Sequence, residues 1–362
     1  MVGIALRLIL EAVLASFMRL TLMRAQLGLM GRNRRWKPMK EPAPISVNTL
    51  EWLLDSEPAL RWQALRDLTD GPVATIAAER ARVPYEGIGA EILSLQQPDG
   101  AWRSDKAPAW LTTLFTMQLL RATGVDPANP SVVAAVTRLE TNLRWNDSGG
   151  CWDLRAPETG GNIFFEGEVE PCINGGALAL GAYFGHPAES LVRRLLDEQL
   201  EDGGWNCEAP KSTRSSFHTT ICVLEGLLEY ERAVGSTPEV ASSRKRGEEY
   251  LLKRALYRRF STGELANPEF LELAFPPRYH YDVLRALDYF RAAGVEPAPR
   301  IADAVGVVQS KQQADGRWLL EAKYDEALAL PFDELLNKPS RWNTLRALRV
   351  LRWCEQPLPH IA

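Results

Sequence analysis

Two short stretches and two outlying residues carry the side chains best suited to chemistry. "EVEPC" supplies Glu168, Glu170 and Cys172, and Cys207 follows in "NCE". His218 opens "HTTIC", and His280 and Asp282 share "YHYD". Thiolate, imidazole and carboxylate are the ligand types that zinc takes. Cys172, Cys207, His218 and Asp282 are therefore candidate zinc ligands, and zinc is the one cofactor that these residue types bring up. Glu170, Glu168, His218 and His280 are candidate general acids or bases. Each also has a plain structural role open to it. A thiol can fill a packed loop, an imidazole can cap a helix or meet a carboxylate, and Glu170 and Asp282 are of the type that helix N-termini favour. Cys222, four residues after His218, is expected in the core.

The segment around the first stretch, Gly149–Gly176, is long and glycine-rich. Glu166, Glu168 and Glu170 alternate there beside Phe164 and Phe165. In an extended chain alternate residues share a face, so these carboxylates would bind a cation, act as acids, or simply be solvated. A carboxyl buried beside the phenylalanines would have its pKa raised and could donate a proton.

What must position these residues is a repeat. "QQPDGAW" (Gln96–Trp102), "QLEDGGW" (Gln199–Trp205) and "QQADGRW" (Gln312–Trp318) say nearly the same thing. Before each lies an amphipathic, charged helical pattern; after each lies a more apolar one with residues at i, i+3, i+4 and i+7. "RWNDSGGCW" (Arg144–Trp152) is a degraded copy. Trp205 and Trp318 stand 113 residues apart, about twice the 50 and 53 that separate Trp102, Trp152 and Trp205. A further pair without the tryptophan, "EEYLLKRALYRRFSTGEL" with "RYHYDVLRALDYFRAAG", fills that gap. The first pair is "SVNTLEWLLDSEPALRWQALRDL". Six outer/inner helix pairs make an all-α fold. Its expected form is an α/α toroid around a central cavity; the competing open superhelices have periods of roughly 34 to 47 residues, shorter than this one.

Composition narrows the function. The chain has 362 residues, 46% hydrophobic and 24% charged, with a net charge of −4. That is globular, and neither a basic stripe nor an acidic tail supports nucleic-acid binding. Five dispersed cysteines without a CxxC suit reduced thiols and a cytoplasmic location. Residues 1–31 are apolar but broken by Arg7, Glu11, Arg19 and Arg24, so a spanning helix is not expected. They read either as an amphipathic helix making peripheral membrane or protein contact, or as an upstream extension. The division is therefore an extension at 1–45, the helical repeats at 46–355 and a tail at 356–362.

The glutamine, acidic turn, glycine and tryptophan between two helices resemble the repeat of the squalene–hopene cyclase and protein prenyltransferase β-subunit superfamily, over residues 46–355. The resemblance implies a structural clasp at Gln96–Trp102, Gln199–Trp205 and Gln312–Trp318. It also implies an isoprenoid-like, apolar small-molecule partner in the cavity. Trp110, Phe217, Tyr279, Tyr281, Trp342 and Asn174 would then bind substrate, with Phe115 nearby, because aromatic faces attract carbocations. The Asp-x-Asp-Asp run that protonates an alkene in the cyclases is absent; "FDEL" and "YDEA" do not replace it. In the prenyltransferases Asp, Cys and His hold zinc near the starts of inner helices. His218 stands at the matching place, and Glu170-x-Cys172 offers Glu in place of Asp. Aligned by apolar pattern, Asn174, His218, His280 and Trp342 fall at one level. Three functions follow: an isoprenoid-active cyclase, lyase or isomerase; a zinc-dependent prenyl or alkyl transferase; or a non-catalytic lipid- or partner-binding toroid.

Overall fold

The structure, a computed structural model, describes residues 45–145, 154–155, 161–297 and 299–355. Residues 1–44, which hold almost all of the expected extension, lie outside the described residues, as do Cys151, Trp152 and the tail at 356–362.

The fold is almost wholly helical. Helices follow in pairs: α1 (Val47–Leu54) with α2 (Pro58–Leu68), then, after α3 (Val73–Arg82), α4 (Gly87–Ser94) with α5 (Ala109–Ala122). Next come α6 (Pro130–Asn142) with α7 (Pro171–Tyr183), and α8 (Glu189–Asp197) with α9 (Phe217–Val234). The last are α10 (Pro238–Leu252) with α11 (Val283–Ala292), and α12 (Ala302–Ser310) with α13 (Arg341–Glu355). Two short antiparallel pairs complete it: β1 (Arg144–Trp145) with β2 (Leu154–Arg155), and β3 (Trp318–Leu319) with β4 (Pro339–Ser340). Local sequence sets the helix starts. Ser216, Thr237 and Asp282 each accept a hydrogen bond from a backbone N–H three residues on, and Pro58, Pro130, Pro171 and Pro238 stand in first turns.

The three repeated motifs have one job each, done the same way. The indole N–H of Trp102 donates to Ile92 O at 2.7 Å, that of Trp205 to Leu195 O at 2.6 Å, and that of Trp318 to Val308 O at 2.7 Å. Their backbone N–H groups donate to Thr113, Thr220 and Thr344 hydroxyls on the following helix. Each tryptophan thus ties the helix before the turn to the helix after it, with none of its ring exposed. Gln199 donates to Gly203 O at 2.7 Å and to Ser243 O at 2.8 Å; Gln96 does the same to Gly100 O and Ala135 O. The glutamine therefore also binds the next outer helix. Gly100, Gly203 and Gly316 have positive φ, so the glycine in the motif is a backbone requirement.

The second helices of the pairs adjoin in sequence. Trp62 Nε1 on α2 donates to Thr123 O at the end of α5, 2.8 Å away. Tyr183 at the end of α7 donates to Val125 O. Helices α7 and α9 touch backbone to backbone: a Cβ on Gly175 would lie 2.5 Å from Cys222 O, and one on Gly226 2.5 Å from Gly175 O. Arg232 at the end of α9 donates to Ala292 O at the end of α11 at 2.5 Å, and Trp353 at the end of α13 donates to Val295 O. Finally Arg349 on α13 donates to Gln63 on α2. The C-terminal ends of these helices are thus level. Helix α3, which the repeat pattern does not predict, has no buried residue and reaches this end, where Arg80 donates to Gly124 O at 2.8 Å.

Candidate functional site

A cavity of about 790 Å³ is bounded by α2, α5, α7, α9, α11 and α13, with α3 and residues 275–278 completing its wall. That volume suits a small organic molecule. Part of the wall is aromatic: Trp62, Phe115, Phe275 and Trp342, the last two stacked with centroids 4.4 Å apart. Helix α7 presents Gly175, Gly176 and Ala179 to the wall, where Gly175 lets α9 approach and Gly176 packs against Gln118.

Much of the wall is charged, which the apolar repeat pattern did not lead us to expect. Arg285 and Glu225 form a two-pronged pair at 2.9 and 2.7 Å. Arg121 and Arg232 share Glu229, at 2.8 and 3.5 Å. Asp288 receives Arg349, Arg291 at 2.9 Å and Arg346 at 3.8 Å. These cations hold Asp288 far below the usual carboxylate range despite its burial. Arg278 lies over the Phe115 ring at 4.7 Å and pairs with the exposed Glu326 at 2.9 Å. Arg285 and Asp288, and Arg346 and Arg349, sit three apart and so share a face of α11 and of α13.

Of the expected aromatic set, Phe115 and Trp342 line this cavity. Trp110 stands 6.1 Å from Trp145. Phe217 and Tyr281 are buried around Phe270, at centroid distances of 4.9 and 5.0 Å from it. Tyr279 is partly exposed and stacks on His280 at 4.2 Å. Asn174 is fully buried and closes a loop, accepting from Glu168 N at 2.7 Å and donating to Glu168 O at 3.0 Å.

A second cluster forms where α7 and α9 begin. Cys172 and Cys207 bring their sulfurs to 2.8 Å, and the Glu170 carboxylate lies 3.7 Å from Cys172. The Thr219 hydroxyl is 3.4 Å from Cys207. The shared hydrogen bond splits the two thiols: Cys172 is pushed up by it and by burial, and Cys207 is held down by it. Ligand atoms of Glu170, Cys172 and Cys207 all lie within 4.8 Å of one another. Two thiols and a carboxylate are ligand types that zinc takes, although the 2.8 Å between the sulfurs is shorter than two sulfurs on one zinc would stand.

His218 and Asp282 do not share this cluster. His218 Nδ1 accepts from Tyr281 N at 2.9 Å, which places the proton of the neutral ring on Nε2. Burial and then Arg285 lower its pKa. His280 lies against Tyr324, ring centroids 3.6 Å apart, and is pushed down to about 4 by burial, Arg278 and His218. Both imidazoles are neutral at physiological pH. The apolar alignment that levelled His280 with Asn174 and His218 differs from the structure, because Asp282 caps α11 and leaves His280 in the loop before it. Asp282 is buried and accepts from Arg285 N at 2.8 Å.

The alternating glutamates are not extended. Phe164–Glu166 is a short 3₁₀ turn, and Gly167 follows at φ 80°. Glu166 is exposed, Glu170 half-buried and Glu168 buried. Glu168 accepts from the N–H groups of Val169 and Glu170, yet burial pushes its carboxyl up to about 8. Its raised carboxyl lies away from the cavity, whose wall it does not join.

Among the described residues no helix is long and apolar enough to cross a membrane. No protein-family model matches the chain, and no curated protein does. Among solved structures it is similar to a protein from Actinoplanes, at 15% identity over 84% of this chain and 90% of that one, with a TM-score of 0.43. It is also similar to the type II terpene cyclase MstE from Scytonema, at 17% identity over 81% and 86%, TM-score 0.42. A form of MstE in complex with geranylgeranyl dihydroxybenzoate gives 18% identity over 82% and 86%, TM-score 0.41.

Proposed function

We propose that residues 46–355 form an α/α toroid that takes an isoprenoid-like small molecule into its central cavity. The observation that carries this reading is the cavity itself, walled by the second helix of every pair and furnished with Trp62, Phe115, Phe275 and Trp342. Aromatic faces suit a branched hydrocarbon chain, and the same faces stabilise positive charge on it. The carboxylates on the wall, Asp67, Glu225, Glu229 and Asp288, are each ion-paired with arginine. None is thus poised to protonate an alkene, and the wall's part is to hold, orient and stabilise. Tryptophan emission tests the reading, since Trp62 and Trp342 would touch the ligand. Titration with farnesol or geranylgeraniol should change it saturably, and Trp342→Ala should weaken the binding; no saturable change with any isoprenoid would refute it.

A second reading, a zinc-dependent prenyl or alkyl transferase, is favoured by one observation: the Glu170, Cys172 and Cys207 cluster. These three residues would hold the ion, which when bound would lower the pKa of a coordinated thiol or water. Glu170 and Thr219 would orient the two sulfurs. Elemental analysis of untagged protein beside Cys172→Ala distinguishes the readings: stoichiometric zinc lost in the variant upholds this one, and a metal-free wild type removes it.

A further inference from the structure

We infer that Cys172 and Cys207 are a modification site, a dithiol that a peroxide oxidises reversibly to a disulfide. The inference needs neither the isoprenoid nor the zinc of the proposed readings.

The distance between the sulfurs carries it. Two thiolates on one zinc ion, with bonds of about 2.3 Å at tetrahedral angles, stand about 3.8 Å apart. Cys172 Sγ and Cys207 Sγ are 2.8 Å apart, nearer to the bond of about 2.05 Å that joins a disulfide. The approach spans 35 residues of chain and is built by the fold. Gly175 and Gly226 let α7 and α9 meet backbone to backbone, which fixes the starts of the two helices against each other. Cys172 lies in the first turn of α7, one turn before Gly175. Cys207 lies in the loop that leads into α9, and the Thr219 hydroxyl in the first turn of α9 meets its sulfur at 3.4 Å. Trp205, fully buried and bonded to Leu195 O, anchors the start of that loop. Both thiols are half-buried, which suits an oxidant as small as hydrogen peroxide.

The neighbours suit the two steps. In the first, the Cys207 sulfur attacks one oxygen of the peroxide and the O–O bond breaks. Cys207 becomes a sulfenic acid, and the departing hydroxide leaves as water with the thiol's proton. In the second, the Cys172 sulfur attacks the sulfenic sulfur and the S–O bond breaks. The Glu170 carboxylate, 3.7 Å from Cys172 Sγ, takes the Cys172 proton and returns it to the departing hydroxide, which leaves as a second water. Two electrons pass from the sulfurs to the peroxide, and one S–S bond forms. A thiol reductant reverses the bond by exchange. The disulfide offers no thiolate, so it and a metal held through these sulfurs exclude each other.

The test uses untagged full-length protein freed of metal by a chelator. It is treated with hydrogen peroxide at neutral pH, alkylated, and mapped by mass spectrometry without reduction. We expect one cross-linked peptide pair, Cys172 to Cys207, with Cys222 and Cys354 still free. Dithiothreitol should restore both thiols. The oxidised protein should melt several degrees higher, because the bond closes a loop in the unfolded chain. Cys172→Ser should halt the reaction at a Cys207 sulfenic acid, which dimedone captures. Glu170→Gln should slow the linkage severalfold and leave the oxidation of Cys207 at its wild-type rate. Should the variants not fold, the wild-type map alone decides. Full alkylation of both thiols after peroxide, or Cys207 driven to sulfinic acid while Cys172 stays free, would overturn the pair. Because the protein is metal-free and no isoprenoid is added, such a failure would leave both proposed readings to their own tests.

Discussion

Arg349 on α13 donates to the side-chain oxygen of Gln63 on α2 at 3.2 Å, joining the last cavity-lining helix to the first across 286 residues. The same guanidinium reaches Asp67 on α2 at 3.5 Å and grips Asp288 on α11. One arginine thus links three helices electrostatically.

Asp288 is the centre of that arrangement. Asp288→Asn should leave Arg349, Arg291 and Arg346 without their shared anion and cost roughly 3–5 kcal/mol, as breaking a buried ion pair does. Denaturant unfolding monitored by circular dichroism measures it. The sign of the pH effect follows from the depressed carboxyl: its contribution is present above the ordinary aspartate value and is lost as pH falls through the folded-state value. Acid unfolding of the wild type should therefore be steeper than that of the variant.

Glu168 predicts the opposite slope. Its carboxyl is raised from the ordinary glutamate value to about 8. The unfolded chain releases this proton first, so the stabilisation is full below the ordinary value and declines as pH rises through about 8. Glu168→Gln removes the ionisation and keeps one acceptor oxygen, for either the Val169 or the Glu170 N–H. Between about pH 5 and 8 its stability should fall less than that of the wild type, and equal slopes in thermal melts would contradict the assignment.

The two close thiols should differ in reactivity. In metal-free protein at neutral pH, iodoacetamide should label Cys207 before Cys172, because the shared interaction with Cys172 favours the Cys207 thiolate. Cys172→Ala should slow labelling of Cys207 severalfold. Peptide mapping by mass spectrometry reads both rates.

The repeated motif should behave as structure alone. Trp205→Ala removes a fully buried ring and its bond to Leu195 O, and should cost about 3–5 kcal/mol. Gln199→Ala loses two donated bonds and one accepted from Ser243, and should cost about 1–3 kcal/mol. Ligand affinity of the folded fraction should not change in either variant, which a titration would show.

These residues also show how far the sequence could be read. The motif trio was legible because the indole, glycine and glutamine each answer a local backbone need that recurs at every turn. The Glu170–Cys172 approach was legible from spacing, and the nearness of Cys207 from its place in the loop after Trp205. Arg278, Arg346 and Asp288 were not, because their meaning lies in pairings across 48 to 72 residues that no local pattern encodes. Helix α3 escaped because it buries no face of its own. His280 was misplaced by one turn because a capping aspartate, not the apolar period, decides where α11 begins.

The most direct test of the central claim is a crystal structure of the protein grown with farnesyl diphosphate. The account predicts ligand density between α2, α5, α7, α9, α11 and α13, with the isoprenoid chain against Trp342 and Phe115. A cavity holding only ordered water, with the ligand bound elsewhere on the surface, would contradict it.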